Sequence, residues 1–306
     1  MKSALRNLVM IWCALPVMSS AQTYHFEKLS EFHGLSDNRV TCFLKDHTGF
    51  MWIGTENGLN RYDGHTFQIY RPGQISHSLS HEHINDVEED SQGRLWISTW
   101  SGLNVINPNN DSLYVFSPDE DGAAQNKSRI ASSLIWDSYI DQKGKVWLAL
   151  DVRDLCYYDP EQKEFTYLPW HEFVKTILPQ QQASYKSIQK IIHKSNHELW
   201  LGTTLGLFSF DINTSLFQYH GGDTAEDFIG MHYDSVLQRI YFGQRKLYVY
   251  DIVKQNLRSI KQNANSLPAN LKSTSTILLP SLKGLWVVDK IKEEANVLPQ
   301  DEKNTF

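Results

Sequence analysis

The segment from Asp46 to Gly64, DHTGFMWIGTENGLNRYDG, returns at Asp90 to Pro108 as DSQGRLWISTWSGLNVINP. A chain that repeats itself in this way is constrained before any single residue is interpreted, because each copy can bury its apolar face only against the next. Copies align on Trp52, Trp96, Trp147, Trp200, Tyr241 and Leu278, spaced at roughly 40 to 50 residues, the length of a propeller blade. Within a copy the pattern has period two, as in Phe50-Met51-Trp52-Ile53-Gly54, and the runs between turns are too short for ordinary helices.

Turn chemistry agrees with strands. Asp46-His47-Thr48-Gly49, Asp90-Ser91-Gln92-Gly93 and Asp141-Gln142-Lys143-Gly144 each place Asp first and Gly fourth, the signature of a tight hairpin turn. A second turn at Glu56-Asn57-Gly58 leads into Leu59 to Asp63, and a third at Asp63-Gly64 leads into Thr66 to Tyr70. Each copy therefore reads as four antiparallel strands, and the fold class is all-β, a β-propeller of four-stranded blades. The blades are expected near 34–70, 78–116, 130–168, 186–219, 228–260 and 270–300 of a domain running from 22 to 306.

Strand counting adds an expectation. Every copy carries its own outermost strand, yet Tyr24 to Leu29, ahead of the first copy, also reads as one. An N-terminal outer strand completes a last blade whose other three strands come from the far end of the chain. The expected ring is therefore seven-bladed and incomplete, with unpaired edges.

A chain of 306 residues exceeds the usual single core, but a repeat array grows in one direction and escapes that limit. A net charge of −6 gives no reason to expect a nucleic acid partner. Lys2 and Arg6 precede the apolar run Leu8 to Val17, followed by Ser19-Ser20-Ala21, which predicts a signal peptide over 1–21 and export to the periplasm. No later segment is apolar enough to span a membrane. Cys42 and Cys156 lie two blades apart, beyond the reach of a disulfide, and read as small apolar side chains.

The loop entering each blade and the turn joining its second and third strands share one face of the disc. That face collects residues the scaffold does not need. Arg39, Glu56 and Asn57 in the first copy, His81, His83 and Trp100 in the second, Asp154 in the third and Arg245 in the fifth are the candidate ligand contacts. An indole at a hairpin tip, such as Trp100, can lie flat on a sugar ring or pack on the adjacent blade. Arg39 can grip a carboxylate or sulfate, or stay solvated. His81 and His83 resemble a metal pair but have no third ligand at recognisable spacing, so no metal site is assigned. Glu88-Glu89-Asp90 reads as solvated acid in a strand and turn. No nucleophile elbow, zinc-protease helix or phosphate-binding loop is present, so no catalytic residue and no cofactor are assigned.

The loop Gly34-Leu35-Ser36, with Asp46-x-x-Gly49, Trp52-Ile53-Gly54-Thr55 and Gly58-Leu59-x-x-Tyr62-Asp63 at fixed spacing, resembles the two-component regulator propeller repeat. The resemblance implies the periplasmic sensor region of a hybrid two-component system of Bacteroidota, with an oligosaccharide ligand; the unpaired edges expected of the incomplete ring invite association, a homodimer being the partner they suggest. The resemblance further implies two seven-bladed propellers followed by an immunoglobulin-like domain, a membrane helix and a histidine kinase, of which this chain holds only the beginning. Two other function classes compete: a polysaccharide lyase or hydrolase using Glu56 or Asp154, and a module that only dimerises.

Overall fold

The computed structural model describes residues 29–73, 78–116, 129–130, 132–151, 155–179, 187–222, 230–243, 246–263, 276–281, 284–289 and 294–299. The expected signal peptide, the expected closing strand except Leu29, and the candidates Asp154 and Arg245 lie outside the described residues.

Five four-stranded antiparallel sheets follow one another along the chain. The first holds β1 (Val40–Lys45), β2 (Met51–Thr55), β3 (Gly58–Tyr62) and β4 (Phe67–Tyr70). The second holds β5 (Ile84–Glu89), β6 (Leu95–Thr99), β7 (Gly102–Asn107) and β8 (Ser112–Phe116), and the third β9 (Ile135–Ile140), β10 (Val146–Leu150), β11 (Leu155–Asp159) and β12 (Glu164–Leu168). The fourth is β13 (Ile188–Ser195), β14 (Glu198–Thr203), β15 (Gly206–Asp211) and β16 (Leu216–Gly221), and the fifth β17 (Gly230–Asp234), β18 (Arg239–Gly243), β19 (Leu247–Asp251) and β20 (Asn256–Ser259). Successive sheets meet along their first strands, β1 on β5, β5 on β9, β9 on β13 and β13 on β17. This is the radial packing of propeller blades.

The repeated Trp is explained by the turn before it. Asp46 Oδ1 accepts from the backbone N–H of Thr48 and Phe50, and its Oδ2 accepts from Trp52 Nε1 at 2.8 Å. Asp90 and Asp141 do the same for Trp96 and Trp147 at 2.9 and 3.0 Å. The carboxylate closes the hairpin and satisfies the indole of a side chain buried between blades, so neither group is left unpaired. Truncating one of these tryptophans would cost about 3 to 5 kcal/mol.

The core lies between blades, in successive apolar clusters at each seam. At Gly54 the first two blades approach so closely that a Cβ would collide with Cys42 Sγ and lie 2.8 Å from Ile84 Cγ2. Cys42 and Cys156 are free thiols on β1 and β11. Burial, with the Asp86 carboxylate adding to it, pushes the Cys42 thiol up to about 12.

Blade one differs from the next three blades on its outer face. Phe43 pairs with Ile53, as Val87 does with Ile97, Ser138 with Leu148 and Ile191 with Leu201. Val87, Ser138 and Ile191 are 3–4% exposed, whereas Phe43 is 75% exposed. The face of blade one turned away from blade two is left uncovered by the described residues.

Two elements depart from the repeat. The amphipathic helix α1 (Trp170–Ile177) stands between blades three and four and buries Trp170 and Val174. Its Trp170 and Phe173 rings pack on Phe208. The sixth copy was expected to be four antiparallel strands with Leu278 in the second, and this needs correction. Its sheet runs β21 (Lys261–Asn263), β24 (Glu294–Pro299), β23 (Gly284–Asp289), β22 (Thr276–Ser281). Leu278 lies on β22, the strand that contacts β17. The edge strand β21 is parallel to β24; chain leaving blade five covers the edge that β24 would otherwise present unpaired.

Candidate functional site

The loop before β1 and the β2–β3 turn are latched together by a buried polar triad. Ser36 N–H donates to Asn60 Oδ1 at 2.9 Å, Asn60 Nδ2 donates to Ser36 Oγ at 2.7 Å, and Ser36 Oγ lies 2.8 Å from Thr55 Oγ1. Thr55 Oγ1 donates to Gly58 O at 2.9 Å. Blade two repeats the latch with Ser80, Thr99 and Asn104 at 2.8–2.9 Å. Gly58, whose φ of 125° suits glycine, donates its N–H to Glu82 O at 2.8 Å. That bond ties the turn of blade one to the entry loop of blade two.

Five of the six described candidates converge at this seam. Arg39 donates from Nε and Nη2 to Asp37 at 3.3 and 3.2 Å, and its Nη1 meets Glu56 Oε2. Burial raises the Asp37 carboxyl, yet the Arg39 hydrogen bonds and the charges of Arg39 and His83 hold it below its ordinary value. His83 stacks on Trp100 with ring centroids 4.1 Å apart and planes 18° apart, while His81 is tilted against the same indole at 5.9 Å. Burial lowers the His83 imidazole despite the opposing charge of Glu56. The seam thus gathers the carboxyl groups of Asp37 and Glu56, the Arg39 guanidinium and two imidazoles around one indole.

Trp100 packs on its own blade and stays 44% exposed. The sixth described candidate, Asn57, serves the scaffold: its Nδ2 donates to Ser36 O at 3.3 Å and its O accepts from Arg71 Nε at 2.9 Å. His81 Nδ1 accepts the His83 N–H at 2.9 Å, which leaves Nε2 as the protonated nitrogen. Among the described residues no group of three or more His, Cys, Asp or Glu side chains could hold a metal ion.

The acids Glu88-Glu89-Asp90, expected to be solvated, are not. Asp90 closes the turn under Trp96, and Glu89 binds the His47 ring and backbone across the seam. Glu88 joins a cluster where the first strands meet. There Lys190 Nζ donates to Asp137 Oδ1 at 2.6 Å, Ile191 N–H to Asp137 Oδ2 at 2.7 Å, and Ser138 Oγ to Asp86 Oδ2 at 2.6 Å. Burial pushes the Asp137 carboxyl up to about 7 although Lys190 pulls it down. Burial, then the Asp86 and Asp137 charges, push Glu88 up to about 8. The signal was present in the sequence as acids within the first strands, INDVEE and IWDSYI.

Similarity to known proteins agrees with this geometry. The family model described as two component regulator propeller matches residues 34–57 and 78–101, the entry loops and first hairpins of blades one and two. Histidine kinase P4 of Formosa agariphila is 38% identical over 58 residues, which is 19% of this chain and 4% of that protein. The extracellular domain of a hybrid two-component system from B. thetaiotaomicron superposes over 91% of this chain with a TM-score of 0.69 at 19% identity. The chain spans 37% of that domain. Virginiamycin B lyase from Staphylococcus aureus superposes over 84% of this chain with a TM-score of 0.54 at 11% identity. At these identities the superpositions speak to fold, and among the described residues no helix is long and apolar enough to cross a membrane. Residues 34–57 and 78–101 thus match the two component regulator propeller repeat, and the blades share their fold with the extracellular domain of a hybrid two-component system.

Proposed function

We propose that this chain is the ligand-binding propeller of an exported two-component receptor, and that the seam between blades one and two takes up a neutral, hydroxyl-rich oligosaccharide. The observation that carries the reading is Trp100, an indole backed on one face by His83 and 44% exposed. An aromatic face held rigid in this way suits a sugar ring, and the adjacent Asp37 and Glu56 offer acceptors for its hydroxyls. Arg39 is already engaged by both carboxylates. Local charge is therefore negative, which favours a neutral sugar over the carboxylate or sulfate that a bare arginine would select. A lyase or hydrolase would need an acid free to take a proton, and Glu56 is tied to Arg39.

Export rests on the leader expected over 1–21, and signalling on a kinase coupled to this propeller. Calorimetric titration of the chain lacking its leader, against panels of neutral and of sulfated oligosaccharides, tests the reading. Heat is expected from a member of the neutral panel, and Trp100→Ala is expected to weaken it at least about tenfold with an unchanged melting midpoint. Silence across the neutral panel, or preference for the sulfated one, would overturn it.

A further inference from the structure

The seams share one construction, and one of them differs. In blades one to four the repeated Trp has a fixed cross-strand partner: Trp52 faces Arg61, Trp96 faces Val105, Trp147 faces Tyr157 and Trp200 faces Ser209. In blade one the Arg61 guanidinium lies 3.7 Å from the Phe50 ring centre and 5.7 Å from that of Trp52. In blade three the Tyr157 ring sits 4.9 Å from Trp147. In blade four Ser209 is small, but His220 lies 4.4 Å from Trp200 and bonds Ser209 Oγ at 2.8 Å and Tyr250 OH at 2.9 Å. In blade two the cross-strand position holds the small aliphatic Val105, with the Arg94 guanidinium 5.7 Å from the Trp96 ring centre.

The result is a cleft of about 450 Å³ between blades two and three, within the range of small-molecule sites. Trp96, Phe116 and Tyr158 wall it, with Phe116 4.7 Å from Tyr158 and 6.1 Å from Trp96. Tyr114, 59% exposed, stands edge-on to Phe116 at the rim. The lining also carries two cations, Arg94 and Lys163. Asp90 balances Arg94 through a 2.7 Å bond, so Lys163 gives the cleft a net positive charge. A planar, apolar interior with a cation at its edge matches a planar, apolar group bearing one negative charge.

We propose that this cleft binds a small aromatic carboxylate, its ring among Trp96, Phe116 and Tyr158 and its carboxylate toward Lys163 and Arg94. It is distinct from the Trp100 seam. The equivalent cleft between blades three and four, lined by Tyr157, is smaller, about 320 Å³.

Phenylacetate and its cationic counterpart phenethylamine, titrated into the chain with calorimetry and tryptophan fluorescence as readouts, test the proposal. One phenylacetate is expected to bind, with phenethylamine at least about tenfold weaker. Val105→Tyr, which copies the cross-strand tyrosine of blade three, is expected to weaken phenylacetate at least about tenfold without lowering the melting midpoint. Should that variant fold poorly, Tyr114→Ala at the exposed rim is expected to weaken binding about threefold or more with the fold intact. Lys163→Gln is expected to weaken phenylacetate about fivefold and leave phenethylamine unchanged. Trp100→Ala is expected to have no effect, which separates this cleft from the sugar seam. No saturation by about 10 mM phenylacetate, equal binding of the amine, or unaltered binding in both Val105→Tyr and Tyr114→Ala would overturn it.

Discussion

The residue that organises each of the first three blades is the turn aspartate, because one carboxylate serves the hairpin and the indole six positions on. Removing it from Asp46 orphans the Trp52 indole and two backbone N–H groups, so Asp46→Ala is expected to destabilise the chain by about 3 kcal/mol in urea unfolding. The carboxyl is raised by burial but held below its ordinary value overall by bonds from Thr48, Trp52 and Phe50. Its contribution is thus present above the unfolded pKa and lost as pH falls through the folded one. Blade four tests the same logic in reverse. Lys194 stands where the aspartate should, and Trp200 Nε1 is buried with no hydrogen-bond partner. Lys194→Asp is expected to stabilise the chain by about 1 kcal/mol, after loss of the weak Lys194–Glu198 pair. A fall in the urea midpoint would show that blade four's turn cannot bring a carboxylate to the indole. Asp-x-x-Gly was legible as a turn signal. That the same Asp accepts from the Trp was equally present in the constant spacing, but spacing alone does not say which side chains point at one another.

For a strand, burial is set by its neighbour. Phe43 on β1 and Val87 on β5 hold the same register position, yet Phe43 is 75% and Val87 4% exposed. Phe43→Ser is expected to change stability by less than about 0.5 kcal/mol, whereas Val87→Ser should cost about 3 kcal/mol through lost apolar burial and an orphaned hydroxyl. Paired chemical unfolding curves read both, and a Phe43→Ser cost comparable to that of Val87→Ser would mean the outer face of blade one is covered. Period-two patterning could not have told the two strands apart, since both alternate. It also passed over α1, where Trp170 and Val174 recur at helical spacing in a chain otherwise patterned for strands. The parallel pairing of β21 was equally out of reach, because it answers the exposed edge of β24 rather than any local preference. Departures from the repeat picked out Arg39, Glu56, His81, His83 and Trp100, which the fold brings together at one seam, while Asn57, a similar departure in sequence, ties its own loop.

Across the whole molecule the first strands of separate blades are joined by charge as well as by apolar packing. Asp86 and Glu88 of blade two, Asp137 of blade three and Lys190 of blade four share one partly dehydrated volume in which three acids face a single ammonium. The excess negative charge is relieved if one acid keeps its proton. Asp137 is pushed up to about 7 and Glu88 to about 8, so Glu88 holds its proton to the higher pH. A carboxyl raised on folding contributes stability that is complete below its unfolded pKa and disappears as pH rises through the folded one. The chain is therefore expected to lose about 2 kcal/mol between pH 6 and pH 9 from this group alone. His83 and His220, both lowered by burial, act in the opposite sense as pH rises through the histidine range, so a single pH series on the native chain mixes the contributions. Glu88→Gln separates them, since it keeps the neutral shape of the protonated acid and leaves the histidines in place. Urea midpoints of the two proteins should nearly coincide at pH 6 and diverge by pH 9 in favour of Glu88→Gln. Parallel pH dependence in both would show that Glu88 is ionised in the folded chain and that Lys190 neutralises the cluster without a retained proton.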